Sequence, residues 1–263
     1  MKFTYGAELE IADFTRSLAE ERVKQWGVLD RNDCTVCNSD GTVGNPYEGD
    51  KGGEIVTKVC ESPEDLATHC SNIIGVLDKA VVNHSCWLHI HVGVGKDLSL
   101  DELKDIAIMT DIWCQHLIKN EDINPPKLRP DGTVDDKRNM TRLSTMSEIE
   151  YFSMLQSRTV EEFWSFFERK RHLINIRPIK SYGTIEYRFL PPTLEYNDFL
   201  SAAKMVGEIT ESIVSGRVVD LNLKNVYNGV HKVIDLELES KFRAHKPIYQ
   251  PKVDNFTGEI WNG

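Results

Sequence analysis

Apolar and polar residues alternate along residues 2–11, KFTYGAELEI, in the pattern of a β-strand with one buried face. Every odd-numbered position from Phe3 to Ile11 is apolar or aromatic, whereas Glu8 and Glu10 fall together on the other face. Side chains two residues apart on a strand are separated by about 6–7 Å. Two carboxylates at that spacing suit one or two hard cations, although a solvated strand face can show the same pair.

Three later segments repeat this alternation and carry polar residues of the same chemical type. GGEIVTKV contains Glu54, CWLHIHVGV contains His89 and His91, and GTIEYRFL contains Glu186 and Arg188. Four strands that all present metal-binding or phosphate-binding side chains are better explained as the walls of one site than as four solvated faces.

Between these segments the hydrophobic spacing changes to the period of helices. Ser99 with Glu102 and Thr159 with Glu162 form capping boxes at two of the predicted helix starts. HLINIRPI and SYGTIEYRFL, joined by a short turn, predict a hairpin. The expected fold is therefore α+β, a mostly antiparallel sheet with helices on its outer face. The predicted helices span residues 15–26, 62–82, 99–119, 144–156, 159–171, 196–215 and 220–239.

Residues 1–243 are predicted to form a single domain. The stretch 121–143 has no periodicity and contains three prolines, which predicts a loop or lid inserted in that domain. The loop at 44–52 could fold over a ligand. Residues 244–263 have little to bury and are predicted to be a poorly ordered C-terminal tail.

Composition narrows the class of protein. The chain has 263 residues, 40% of them hydrophobic, which is enough for one substantial core. A formal net charge of −10 argues against binding along a nucleic-acid backbone, which needs a basic surface. No membrane span or signal-peptide pattern is found, so a cytoplasmic location is expected. The six cysteines are expected to be free thiols, including Cys34 and Cys37, whose CxxC has no second half to complete a zinc site.

The polar residues of the four strands form a donor set in which oxygen outnumbers nitrogen. Such a set fits Mg²⁺ or Mn²⁺ better than structural zinc, although His89 and His91 could also be core residues or zinc ligands. Glu186 and Arg188 supply a metal ligand and a guanidinium that matches phosphate oxygens, and Arg177 could add a second guanidinium from the partner strand. Neither GxxxxGKS/T nor GxGxxG is present, so a nucleotide would be held by metal ions and arginine.

The succession YGAELEI, SDGT with GEIVT, WLHIHVG and TIEYRFL followed by PPT resembles the amidoligase family of the glutamine synthetase-like carboxylate–amine ligase superfamily. The resemblance covers about residues 4–193 and implies a glutamine synthetase-like catalytic domain with a curved sheet. Thr57 stands where the family usually has serine, and Trp87-Leu88 replace a small residue before His89, so the substrates of relatives do not transfer safely. The metal ligands that the resemblance implies are Glu8, Glu10, Glu54, His89 and Glu186.

The resemblance also implies an ATP-dependent reaction. A substrate carboxylate would attack the γ-phosphate, and an amine would then displace phosphate from the acyl phosphate to form an amide. His89 or His91 would contact metal or nucleotide phosphate, and Arg188 would stabilise the transferred phosphoryl group. Glu54 and Arg177 are further candidate catalytic residues. The carboxylate and amine substrates could be small molecules or belong to a peptide.

Two other functions agree with the same residues. One is an ATP-dependent phosphotransferase acting on an amino or guanidino group, and the other is a metal- or nucleotide-binding protein without turnover. Relatives of this family occur in phages and bacteria, so a phage origin is one expectation, and the protein would then act in the host cytoplasm. The oligomeric state stays open.

Overall fold

The computed structural model describes most of the chain from residue 2 to residue 216. The predicted lid at 121–143, the predicted helix at 220–239 and both CxxC cysteines lie outside the described residues. The described ranges are 2–30, 36, 38–39, 50–83, 86–118, 148–167 and 173–216, with the backbone of 252–253 and 260–261.

Six strands form one antiparallel sheet, which confirms the α+β class. They are β1 (Tyr5–Thr15), β2 (Gly27–Asp30), β3 (Lys51–Thr57), β4 (Leu88–Gly93), β5 (Ile174–Asn175) and β6 (Thr184–Leu190). Their order across the sheet is β2-β3-β1-β4-β6-β5. The strand with the two predicted glutamates thus lies in the interior of the sheet, between the strands that carry Glu54 and the two histidines.

Two capping boxes were predicted, and one forms completely. The hydroxyl of Ser99 accepts the Glu102 N–H (3.3 Å), and the Glu102 carboxylate accepts the Ser99 N–H (2.7 Å). Thr159 accepts the Glu162 N–H (3.1 Å), but the Glu162 carboxylate accepts the N–H of Arg158 instead (2.8 Å).

None of the described helices is long and apolar enough to cross a membrane. The described helices are α1 (Arg16–Arg22), α2 (Pro63–Val76), α3 (Leu100–Ile118), α4 (Glu148–Leu155), α5 (Val160–Ser165), α6 (Pro178–Tyr182) and α7 (Tyr196–Ser215).

One face of the sheet is apolar and is covered by helices. The cross-strand pairs Leu9–Ile55 and Ile90–Tyr187 lie on this face, and all four side chains are buried. Helix α2 packs against β1 and β3, and α7 packs against β4 and β6. The Tyr187 hydroxyl is hydrogen-bonded to Thr210 of α7 (2.7 Å), so its polar atom is satisfied inside the core. The predicted alternation of β1 is confirmed, and the helices leave its even-numbered positions on the other face.

The predicted helix at 62–82 is too long. Helix α2 ends at Val76, and Leu77 already has an extended backbone. Val81 then pairs with Ala12 of β1 through two backbone hydrogen bonds of 2.8 and 3.2 Å. The segment predicted to form the last turns of the helix pairs with β1 instead. The hydrophobic spacing of the segment itself does not signal this pairing.

The predicted hairpin before β6 is wrong in its connection. Strands β5 and β6 are antiparallel neighbours as expected, but β5 has only two residues and α6 follows it. Pro178 is the first residue of α6, a position where its missing N–H is tolerated. Arg177 therefore precedes a helix and does not lie on a strand. Of the predicted tail, β7 (Lys252–Val253) pairs with β8 (Ile260–Trp261).

Strand β1 is interrupted immediately after its two glutamates. Ile11 pairs with Gly53 and Thr15 with Lys51, so four steps along β1 match two along β3. Asp13 lies inside this irregularity with φ 68°. No other non-glycine residue in the described part of the chain has a positive φ. The interruption ends the regular β1–β3 ladder at the edge of the polar face.

Four of the six cysteines lie in the described part of the chain. Cys60, Cys70, Cys86 and Cys114 are buried free thiols, as expected. Burial raises the pKa of Cys60 to about 11, so this thiol stays protonated at neutral pH.

Candidate metal centre

The polar face of the sheet carries three adjoining rows of cross-strand neighbours. Residues directly opposite each other in an antiparallel pair project from the same face. The backbone register therefore brings side chains from four predicted segments onto one surface. The rows are Asp30–Glu54–Glu10, Val56–Glu8–His89 and Gly6–His91–Glu186–Asn175.

Glu8 lies between the two imidazoles. Its Oε2 is 2.9 Å from His89 Nδ1, and its Oε1 is 3.0 Å from His91 Nε2. Burial disfavours the ionised carboxylate, but the hydrogen bonds from His89 and His91 outweigh it and hold the pKa of Glu8 well below its usual range. Glu8 is therefore an anion at neutral pH, and each of its two oxygens lies within hydrogen-bond distance of one imidazole nitrogen.

The outer nitrogens of the two imidazoles differ in their surroundings. His91 Nδ1 is 3.1 Å from the Thr184 hydroxyl. His89 Nε2 is buried and has no hydrogen-bond partner among the residues that the structure describes. Since His89 Nδ1 faces Glu8, the Nε2 atom lies on the opposite side of the ring, away from that carboxylate.

Glu186 is the second carboxylate close to the imidazoles. Its Oε2 accepts a hydrogen bond from Asn175 Nδ2 (2.7 Å), and its Oε1 is paired with Arg188 Nη1. The same Oε1 is 3.7 Å from His89 Nδ1. Glu186 is only 4% exposed, so its charge is balanced by these neighbours more than by water.

Two sets of three side chains could each hold a metal ion. One set is Glu8, His91 and Glu186, and the other is Glu8, Glu54 and His89. Within each set the ligand atoms lie within 4.8 Å of one another. Each set offers two carboxylates and one imidazole, a donor combination suited to Mg²⁺ or Mn²⁺ and also to other first-row divalent ions. Glu8 is shared, so the two sets adjoin.

The remaining predicted site residues lie around these sets. Glu10 is directly opposite Glu54 and is buried, but it belongs to neither set, and its role as a ligand stays a prediction. Arg188 lies beside the sets through its contact with Glu186. Arg177 is exposed at the start of α6, and within the described residues it forms no ion pair with Glu186. Its expected place on the strand next to Arg188 is wrong.

Three of the site side chains can be reached by solvent. The side-chain exposure is 24% for Glu8, 18% for His91 and 20% for Arg188, against 3% for His89 and 5% for Glu186. A ligand approaching the polar face would therefore meet Glu8, His91 and Arg188 first.

Sequence reasoning missed Asn175 and Thr184, which contact Glu186 and His91. Both lie on the same face as the predicted residues, since Asn175 is opposite Glu186 and Thr184 is two residues before it. The period of two along each strand would have found them. Their neutral amide and hydroxyl groups are less typical of metal ligands than the carboxylates and imidazoles by which the site was predicted.

Arg16 was also missed, and here no local pattern gave a signal. This buried side chain donates to the backbone carbonyls of Gly52 (2.8 Å) and Asp30 (3.2 Å), which ties the start of α1 to β3 and β2. Gly53 has φ 142°, a backbone conformation that other residues rarely adopt, and a Cβ atom there would also displace the Arg16 guanidinium. Arg16 stabilises the end of the sheet next to the row that contains Glu54.

Comparison with models of known protein families gives no match to this chain, and comparison with curated protein sequences gives none either.

Proposed function

We propose that this protein is an ATP-dependent carboxylate–amine ligase, with divalent cations held on the polar face of its sheet. The observation that carries the proposal is the position of Glu8, which belongs to two adjoining three-ligand sets, with Arg188 at their margin. The sequence resemblance supplies the reaction class. The geometry supports it because metal ions and one guanidinium are what a site without a glycine-rich phosphate loop requires.

The donor set fits a cation because carboxylates of like charge lie close together. Glu8 lies within 4.8 Å of Glu186 in one set and of Glu54 in the other, and a bound cation would offset the repulsion between them. Glu8, His91 and Glu186 would hold one ion, and Glu8, Glu54 and His89 a second. Bound Mg²⁺ or Mn²⁺ supplies charge neutralisation for a polyphosphate.

Arg188 is suited to bind the transferred phosphoryl group. Its side chain is one-fifth exposed and donates to Glu186 through Nη1, and its buried Nε has no acceptor among the described residues. Glu186 fixes one side of the guanidinium, so the other donors keep a defined direction. Glu8 has a low pKa and is therefore suited to binding a cation rather than to accepting a proton from the amine.

The proposed reaction has two steps. A carboxylate oxygen attacks the γ-phosphorus of ATP, and ADP leaves to give an acyl phosphate. The amine nitrogen then attacks the acyl carbon, inorganic phosphate leaves, and the nitrogen loses a proton to form the amide. Arg188 would act in the first step, where negative charge builds up on the phosphoryl oxygens.

ADP release from ATP and Mg²⁺ in a mixed pool of amino acids and amines tests the proposal. We expect release that depends on the pool and falls by about 10²–10³-fold in Arg188→Ala and Glu8→Gln. Glu64→Gln is the matched control, since Glu64 is an exposed glutamate of α2 paired with Lys204 at 2.9 Å. Mass spectrometry should find an amide.

Three results would contradict the ligase. Equal ADP release in wild type and both site variants would show that the site takes no part in the reaction. A stable phosphorylated amine or guanidine without an amide would identify a phosphotransferase. Binding of magnesium nucleotide without any turnover in the pool would favour a binding protein.

A further inference from the structure

The Glu186 carboxylate is held by a side chain that the proposed reaction does not use. Asn175 donates from Nδ2 to Glu186 Oε2 at 2.7 Å, and its Oδ1 accepts the backbone N–H of Arg177 at 3.1 Å. A backbone N–H can only donate, so it determines which end of the Asn175 amide is the oxygen. The amide is thereby a fixed link between the start of α6 and the carboxylate.

This link matters because the terminal torsion of a glutamate is soft. Rotation of the carboxylate about its last bond has broad, roughly two-fold preferences, so packing alone does not define where its oxygens point. In Glu186 one oxygen is held by Asn175 and the other by Arg188. The two contacts together define the plane of the carboxylate before any ligand arrives.

We propose that Asn175 is a positioning residue that holds Glu186 in the orientation required to bind a divalent cation together with Glu8 and His91. The inference rests on the proposed cation site and adds to it a residue outside both ligand sets. Hydrogen-bond partners of metal ligands commonly affect metal affinity by about 10–100-fold. A similar loss is expected when the amide is removed, without a comparable loss of stability.

Mn²⁺ binding to the nucleotide-free protein tests this inference, with free Mn²⁺ followed by electron paramagnetic resonance up to millimolar concentrations. Asn175→Ala, Glu186→Gln and the double variant are compared with wild type. We expect Asn175→Ala to weaken Mn²⁺ binding by about ten-fold or more. In the Glu186→Gln background the same change should alter the Kd by less than about two-fold, because the residue acts through Glu186.

Thr193→Ala is the matched control, since it removes a hydrogen bond of similar length (2.9 Å, to Asp198) outside the site. It should leave the Mn²⁺ affinity unchanged. Circular dichroism and the thermal midpoint without metal verify folding, and Asn175→Ser replaces the alanine variant if that variant does not fold.

The outcomes separate this inference from the proposed function. Wild-type protein that binds no Mn²⁺ would overturn the cation site and this inference together. Wild-type binding with an unchanged Kd in Asn175→Ala, or with equal effects in both backgrounds, would overturn only the role of Asn175. Coupled Mn²⁺ binding in a protein that releases no ADP would overturn the ligase and support the positioning role.

Discussion

We expect the variant Asp13→Gly to be more stable than Asp13→Ala, the reverse of the usual order within a strand. Asp13 has φ 68°, in the left-handed region. Alanine in that region is strained by about 1–2 kcal/mol, whereas glycine adopts it freely. Glycine also loses about 0.5–1 kcal/mol more backbone entropy than alanine on folding. Both variants lose the same carboxylate, so a net difference of about 0.5–1 kcal/mol in favour of glycine remains.

Both variants should be less stable than the wild type. The Asp13 carboxylate accepts the backbone N–H of Ser39 (2.7 Å) and the Ser39 hydroxyl, and it lies 3.0 Å from Lys79 Nζ. A hydrogen bond to a charged group contributes about 1.5–3 kcal/mol. The ion pair adds little, because the Lys79 side chain is 60% exposed. We therefore expect a loss of about 2–3 kcal/mol for Asp13→Gly, and somewhat more for Asp13→Ala.

Urea unfolding at neutral pH without metal measures these differences, provided that the slopes of the unfolding free energy against urea agree. Val28→Ala and Val28→Gly are the matched control, because Val28 is an exposed β2 residue outside the set of residues with positive φ. There, alanine should be the more stable variant. If Asp13→Ala equals or exceeds Asp13→Gly in stability, the backbone of β1 does not have the conformation described here.

Three further predictions concern Asp13 of β1, Thr57 of β3 and Thr184 of β6. Acid should destabilise the wild type more than Asp13→Asn, because the hydrogen bonds from Ser39 lower the pKa of Asp13 in the folded protein below its ordinary value. The stabilisation from these hydrogen bonds is complete above the pKa of the unfolded state and is lost as the pH falls through the pKa of the folded state. Urea unfolding between pH 5 and pH 3 checks this, and parallel curves would contradict it. Thr57→Val should lose about 1–3 kcal/mol, because the Ala7 N–H loses its acceptor at 2.8 Å, whereas Thr57→Ser should be close to neutral in thermal unfolding. Thr184→Val should weaken Mn²⁺ binding by about ten-fold through loss of the contact with His91, and an unchanged Kd would exclude that role.

The candidate site could be predicted in part because strands have a period of two. Glu8 and Glu10 had to share a face, and so did His89 with His91, whatever the fold. The same argument would predict Asn175 once β5 is recognised. It would not predict Arg16, whose partners are backbone carbonyls that no side-chain pattern reveals.

The error at Arg177 has a different cause. Read as an alternating pattern, the segment continues as a strand through Arg177. Pro178 is compatible with a strand edge and with the first position of a helix, and local sequence does not decide between them. In the structure the Asn175 side chain accepts the Arg177 N–H, and α6 begins directly afterwards.

By itself, the sequence determined the class of fold, most helices and strands, and the face on which each polar residue of a strand lies, because these follow from local periodicity and capping. Only the tertiary structure decided the strand order and register. These depend on pairing between segments distant in the chain, where a shift of one residue turns every side chain to the opposite face. That register brings His89 and His91 to the two oxygens of Glu8 and leaves Glu10 opposite Glu54.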